Sequence, residues 1–207
     1  MERVSTPVQK LNPNFISSWI IRPLSLCDDL IDYFELNKSK QTQGVTGVGL
    51  NTDKKDSLDI NIRPKEIISP ENEIFRHYFE KLFACHSDYL EQWPFIKKNI
   101  ALKYEIGSFN LQRYTPGQHF KRIHTERSGI GSLHRVFAFM TYLNDVKEGG
   151  STYFSHYDLE IQPIKGLTLI WPAEWTHAHR GNILKAGKKY IITGWINFTN
   201  ESQNIAK

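Results

Sequence analysis

Cysteine is scarce: the 207 residues contain two, Cys27 and Cys85, far apart in the chain. That excludes a disulfide framework and the paired-cysteine spacing of a structural zinc site, and points to a reducing compartment. No apolar run approaches the length of a membrane span, and the opening "MERVSTPVQKLNPN" has no apolar leader segment. A soluble, cytoplasmic protein with no membrane partner is expected. Long basic runs are lacking too. The formal charge of +4 arises from 26 basic and 22 acidic residues spread along the chain, so no nucleic-acid partner is expected. There is no internal repeat and no low-complexity segment, and nothing in the sequence specifies an oligomeric state.

What is present is enough for one substantial core. Hydrophobic residues make up 40% and aromatics 13% of the chain, which suits a single domain over 1–207. The texture divides it into a helix-rich supporting region, 1–108, and a strand-rich core, 109–199. In the first, "SLCDDLIDYFELN" offers Ser25 as an N-cap and a stripe of Leu26, Leu30, Ile31 and Phe34. In "SPENEIFRHYFEKLFACH", Ser69 is a cap and Pro70 suits the first helical position. Ile74, Phe75, Tyr78, Phe79 and Leu82 then recur at helical spacing. The segment "QTQGVTGVGLNTDKKDSLDI" reads as loop with one short strand, and is the candidate for a loop that closes over a substrate. From Phe109 on, "FNLQRY", "RVFAFMTYL", "STYF", "LEIQ", "GLTLIW" and "YIITGWINF" are aromatic and β-branched, punctuated by "TPG", "LND", "EGG", "IKG" and "KAGK". Many short strands at this spacing indicate a sandwich or barrel.

Three His-x-acid triplets stand in the chain, at 86–88, 124–126 and 156–158. With eight histidines and 22 acidic residues, chance alone supplies about one, so the triplet by itself carries little. Placement separates them. His86 falls in a helical segment, where residues two apart point to different faces; in a strand they share one. A third ligand is offered by "WPAEWTHAHRGN", through His177 or His179. Four strand-like segments lie between His124 and His179, enough to travel out and back through two sheets, whereas His156 is separated from His179 by two. His124, Glu126 and a distal histidine would give two imidazoles and a carboxylate, a set used by non-haem iron(II) oxygenases and also by zinc enzymes. Downstream, a strand with Lys189, Ile191, Thr193 and Trp195 on one face would present a cation and a hydroxyl to a carboxylate.

These segments, taken in order, resemble the iron(II)- and 2-oxoglutarate-dependent dioxygenases, and among them the prolyl 4-hydroxylase-like branch. "YTPGQHFKRIHTE" is similar to the Tyr-x-x-Gly approach to the first ligand pair. "RVFAFMTYLNDVKEGGSTYF" resembles the Arg…Tyr-Leu-Asn-Asp…Gly-Gly-x-Thr-x-Phe segment, and "IQPIKGLTLIWP" the Pro-x-x-Gly strand. His179 stands ten residues before Lys189, and Trp195 six after it, as in that family. The likeness runs from Tyr114 to Trp195. It departs from the usual pattern at Glu126, where aspartate is the rule.

The resemblance implies a mainly β fold with flanking N-terminal helices, a double-stranded β-helix of the jelly-roll or cupin-like kind. It implies His124, Glu126 and His179 as iron ligands, and Lys189 as the partner of the distal carboxylate of 2-oxoglutarate. Tyr114, Tyr142 and Thr193 would bond that cosubstrate, Trp195 would pack on it, and Arg135 would face the substrate. The cofactors implied are iron(II), 2-oxoglutarate and dioxygen, with ascorbate as an accessory reductant. The activity implied is hydroxylation of an amino-acid side chain, proline in a peptide or protein, with release of succinate and carbon dioxide. The alternatives are an oxygenase of the same fold acting on a small metabolite or nucleobase, and a non-catalytic metal- or ligand-binding barrel.

Overall fold

The first half of the chain forms β1 (Glu2–Val4), β2 (Ser17–Ile20), α1 (Ser25–Leu36), β3 (Thr42–Gln43), β4 (Leu58–Ile62), α2 (Glu73–Gln92) and α3 (Pro94–Asn99). The second forms β5 (Tyr104–Ile106), β6 (Phe109–Tyr114), β7 (Phe120–His124), β8 (Arg135–Tyr142) and β9 (Thr152–Phe154). It continues with β10 (Leu159–Ile161), β11 (Leu167–Pro172), β12 (His179–Gly181) and β13 (Lys189–Phe198). These come from a computed structural model that describes residues 1–4, 14–47, 49–100 and 103–199.

A nine-stranded sheet has the order β1-β2-β11-β8-β13-β6-β4-β3, with β5 also on β13. A four-stranded sheet, β10-β9-β12-β7, faces it. From β6 to β13 the chain passes back and forth between the two sheets, the winding of a double-stranded β-helix. The expected fold is what the structure has.

Residue alternation along β13 explains why the large sheet has helices on one side and a barrel on the other. Tyr190, Ile192 and Ile196 belong to a core shared with Leu30 and Phe34 of α1 and with Phe75, Tyr78, Phe79 and Leu82 of α2. Ile191 and Trp195, one residue out of phase, belong to a second core with Tyr114, Met140, Tyr142, Phe154 and Trp171 between the sheets. Two faces of one strand thus serve two cores, a consequence of its period of two. The helix-side core is an aromatic lattice, with Phe109 meeting Phe79 and Phe75 edge-on at centroid distances of 4.8 and 5.2 Å. Each such side chain contributes about 1.5–3 kcal/mol when fully buried.

Both expected helices form, with differences at their starts. α1 begins at Ser25, but Leu24 is the capping residue and no side chain caps the turn. Before α2, Ser69 precedes a 3-10 turn over Pro70–Asn72, and the α-helix proper starts at Glu73. The N-terminal region also supplies strands: β2 pairs with β11 and β4 with β6, extending the large sheet at two places. β2 has three consecutive buried residues, so it lacks the in–out alternation that marks a strand with one wet face.

The loop read as a cover is half fixed. Asp56 pairs through its backbone with His119, and Arg122 N–H donates to the Lys54 carbonyl, so 54–56 runs along the edge of β7. Residues 58–62 then cross to the large sheet as β4. The segment closes that corner of the barrel.

Candidate metal centre and cosubstrate pocket

His124 ends β7 and His179 begins β12, and the two lie opposite each other in the small sheet's ladder. Glu126 follows in the bend after β7. One donor atom from each of the three falls within 4.8 Å of the others. Glu126 Oε1 stands 3.4 Å from His179 Nε2 and 3.9 Å from His124 Nε2.

Both rings have their far nitrogen engaged by backbone. His124 Nδ1 lies 2.9 Å from the Arg122 carbonyl, and His179 Nδ1 lies 2.9 Å from the His177 carbonyl. With those nitrogens donating, each Nε2 lone pair is left for a metal. Phe120 stacks on His124 at 3.8 Å, while Trp171 meets His179 edge-on at 5.2 Å and Phe154 lies tilted against it at 5.4 Å. Burial, then the neighbouring His179, lowers the His124 pKa to about 4. Burial by itself would raise the Glu126 carboxyl. Hydrogen bonding and charge from His179, with His124 and the Trp195 indole, outweigh it and bring the carboxyl to about 2. A neutral His124 and an ionised carboxylate are the forms a metal requires.

The rival histidines go elsewhere. His177 is buried in a 3-10 turn, with Nε2 2.8 Å from the Asn14 carbonyl and Nδ1 3.0 Å from Thr176 Oγ1. Its contribution to the centre is the carbonyl that orients His179. His156 and Asp158 occupy the exposed turn between β9 and β10, and Asp158 has φ +47° there. His86 is buried in α2 against Tyr104 and Phe137.

Lys189 is buried, and its Nζ donates to the Gly150 carbonyl at 2.8 Å and lies 4.3 Å from the centre of the Tyr114 ring. Among the described residues no carboxylate pairs with it. Burial lowers its pKa to about 7. Gly181, two residues beyond His179 on β12, leaves room for the ammonium: a Cβ there would stand 3.9 Å from Nζ. Lys188 is exposed on the opposite face. Tyr114 pairs with Lys189 across β6 and β13, and Tyr142 is opposite Ile191. Their hydroxyls donate within the barrel, Tyr114 to Gln112 Oε1 at 2.8 Å and Tyr142 to Thr152 Oγ1 at 2.6 Å. Thr193 Oγ1 donates to the Phe139 carbonyl at 2.8 Å. Trp195 Nε1 donates to Glu126 Oε2 at 2.7 Å, and the Arg135 guanidinium stacks on the Trp195 ring at 3.6 Å.

A second polar group inside the barrel escapes the motif reading. Lys55, Ser57 and Asp59 all point inward at period two: Lys55 Nζ is 2.5 Å from Asp59 Oδ2, and Ser57 Oγ donates to Asp59 Oδ1. Gln112 Nε2 donates to the same Asp59 and, through its oxygen, holds Tyr114. The run 54–57 is polar throughout, so no alternation in the sequence marks it.

Two imidazole nitrogens and one carboxylate oxygen on one side of a point fit a divalent iron ion with positions left open, and a buried lysine with no carboxylate partner among the described residues fits an added carboxylate. The comparisons with known proteins agree. The model of the 2OG-Fe(II) oxygenase superfamily matches residues 109–197. The strand-rich part of the chain is thus similar to that superfamily, and within it to the prolyl 4-hydroxylases. Over 115 residues the chain is 30% identical to a protein of Arabidopsis thaliana named probable prolyl 4-hydroxylase 9, covering 43% of this chain and 40% of that one. The chain therefore spans well under half the length of that curated relative. In fold it matches the viral collagen prolyl hydroxylase of Paramecium bursaria Chlorella virus 1, solved with 2-oxoglutarate, at TM-score 0.63 and 20% identity over 89% of this chain and 97% of that one. A prolyl hydroxylase of Trichoplax adhaerens, solved with a peptide fragment of hypoxia inducible factor, matches at TM-score 0.68 and 15% identity, over 90% and 84% of the two chains.

Proposed function

We propose that this chain is an iron(II)- and 2-oxoglutarate-dependent dioxygenase that hydroxylates proline in a peptide or protein. The observation that carries the reading is the convergence of His124, Glu126 and His179 donor atoms in a barrel that also buries Lys189 without a carboxylate partner. Iron(II) held by the three ligands would supply, with 2-oxoglutarate and dioxygen, oxidation of a substrate C–H bond, releasing succinate and carbon dioxide. Ascorbate as an accessory reductant belongs to the same proposal.

The chain's own part is positioning. His124 and His179 present Nε2 because their Nδ1 protons are held by carbonyls. Lys189 binds the distal carboxylate of the cosubstrate, with Tyr114, Tyr142 and Thr193 on the same inner face and Trp195 farther along it. Arg135 is the cationic group beside Glu126 at the mouth. A polypeptide substrate is favoured by the end of β7 and the loops around the ligands, which carry the exposed apolar side chains Ile123, Ile130, Leu133 and Trp175. Apolar side chains grouped at the rim of a polar site suit contact with another chain.

The test is succinate release with iron(II) and 2-oxoglutarate, followed by mass spectrometry of proline-containing peptides for a gain of one oxygen. Alanine at His124, Glu126 or His179 is expected to abolish both signals, and alanine at His156 to leave them intact. A free amino acid or nucleoside hydroxylated in preference to every peptide would remove the peptide reading and leave the oxygenase.

A further inference from the structure

Glutamate is one methylene longer than the aspartate usual at this ligand position, about 1.5 Å of extra reach. Left free, that arm has more rotamers to lose on binding a metal and can turn either oxygen, or both, toward it. In this structure it is not free. Oε1 faces the two histidines, while Oε2 accepts the Trp195 indole N–H at 2.7 Å. The Trp195 ring is itself covered by the Arg135 guanidinium at 3.6 Å. Arg135 then returns to the start, its Nη1 donating to the backbone carbonyl of Glu126 at 2.8 Å. The Arg135 carbonyl is held in turn by Arg127 Nε at 2.9 Å, and Arg127 is ion-paired with Glu174.

We propose that Trp195 and Arg135 close a ring around Glu126 that holds its longer carboxylate in a one-oxygen binding pose, so that both are positioning residues for the metal ligand. The indole takes up one oxygen, which leaves the other as the metal donor; the guanidinium fixes the indole plane and the backbone from which the arm extends. An aspartate on the same backbone is too short to reach the metal point and the indole together. The ring is therefore matched to glutamate, and its value depends on glutamate being there. The proposal rests on metal occupying the His124–Glu126–His179 site.

The experiment is a titration of the metal-free chain with manganese(II) alone, read by the EPR signal of the free ion, in a double-mutant cycle. Trp195→Phe keeps a ring beneath Arg135 and removes only the N–H. In the glutamate protein it is expected to weaken manganese binding by about 10- to 100-fold, the usual cost of losing a partner that orients a ligand. In a Glu126→Asp background the same change is expected to shift affinity by no more than about twofold. Equal affinities for wild type and Trp195→Phe, or the same loss in both backgrounds, would overturn the ring. Thermal unfolding of the metal-free proteins shows whether Trp195→Phe folds as wild type does. If it does not, Arg135→Met, which keeps cover over the indole and removes the tie to Glu126, takes its place: a lower affinity supports the proposal and an unchanged one overturns it. A wild-type chain that binds no metal defeats the metal reading as well, which separates the two failures.

Discussion

Lys189 is the residue whose chemistry is most constrained by its surroundings. Its ammonium has one backbone carbonyl and a ring face for company, and burial depresses its pKa to about 7. A carboxylate beside it would favour the charged form and raise that pKa again. The sign follows. Below about pH 7 the lysine is protonated with or without ligand, and binding moves no proton. Above it, 2-oxoglutarate held by Lys189 would bind with uptake of up to one proton, and its affinity would fall by as much as about tenfold per pH unit until the pKa of the complex is passed. Calorimetry at pH 8 in two buffers of different ionisation enthalpy measures the uptake. Lys189→Ala is expected to abolish it and to weaken binding by about 10- to 100-fold, the equivalent of about 1.5–3 kcal/mol for a charge-assisted contact. Lys188→Ala is expected to change neither. Uptake that persists in Lys189→Ala would assign the proton to another group.

Among the elements, β13 bears the most demands, since it pairs on both sides and feeds both cores. Gly194 shows how tightly it is enclosed: a Cβ there would stand 2.7 Å from Phe109 Cβ and 2.8 Å from a ring carbon of Phe139. Gly194→Ala is expected to cost about 1–3 kcal/mol through overpacking, a fall of roughly 2–12 °C in the unfolding midpoint. Gly131→Ala, in open space, is the control and is expected to leave the midpoint unchanged. The loop before β9 is similarly specific. Gly149 and Gly150 have φ +73° and +69°, and that turn brings the Gly150 carbonyl to Lys189. The sequence marks "EGG" as a break between strands, but the carbonyl's target lies 39 residues away and no local pattern announces it. The same limit applies elsewhere. The strand-rich half and the inward face of β13 are legible because alternation and turn residues are local properties. β2 is not, its first three residues being buried in a row, and neither is the Trp195–Glu126 bond, which depends on how two sheets meet.

At the scale of the whole molecule, the helices cover one face of the large sheet, so the barrel between the two sheets is where a cavity with polar side chains can persist. The loops that follow β7 and β11 carry Glu126 and Trp175. Those loops are fastened to each other: Thr125 Oγ1 and the Arg127 N–H both donate to the Ala173 carbonyl, and Arg127 pairs with Glu174. The fastening places 123–133 and 173–175 in one rim whose apolar members stand well out, Ile130 at 89% and Trp175 at 68% exposure. Side chains of that size remain in water at a cost unless a partner covers them. If the partner is the polypeptide substrate, Trp175→Ala should raise its KM by about tenfold or more, for roughly 1.5 kcal/mol of lost apolar burial. The rate of 2-oxoglutarate consumption without substrate should remain as in the wild type, because Trp175 touches neither the ligands nor Lys189. Steady-state kinetics on a proline peptide, with succinate measured in parallel without peptide, separates the two effects. A fall in peptide-free succinate formation would place Trp175 in the support of the metal centre, and an unchanged KM would move the peptide path to another part of the rim.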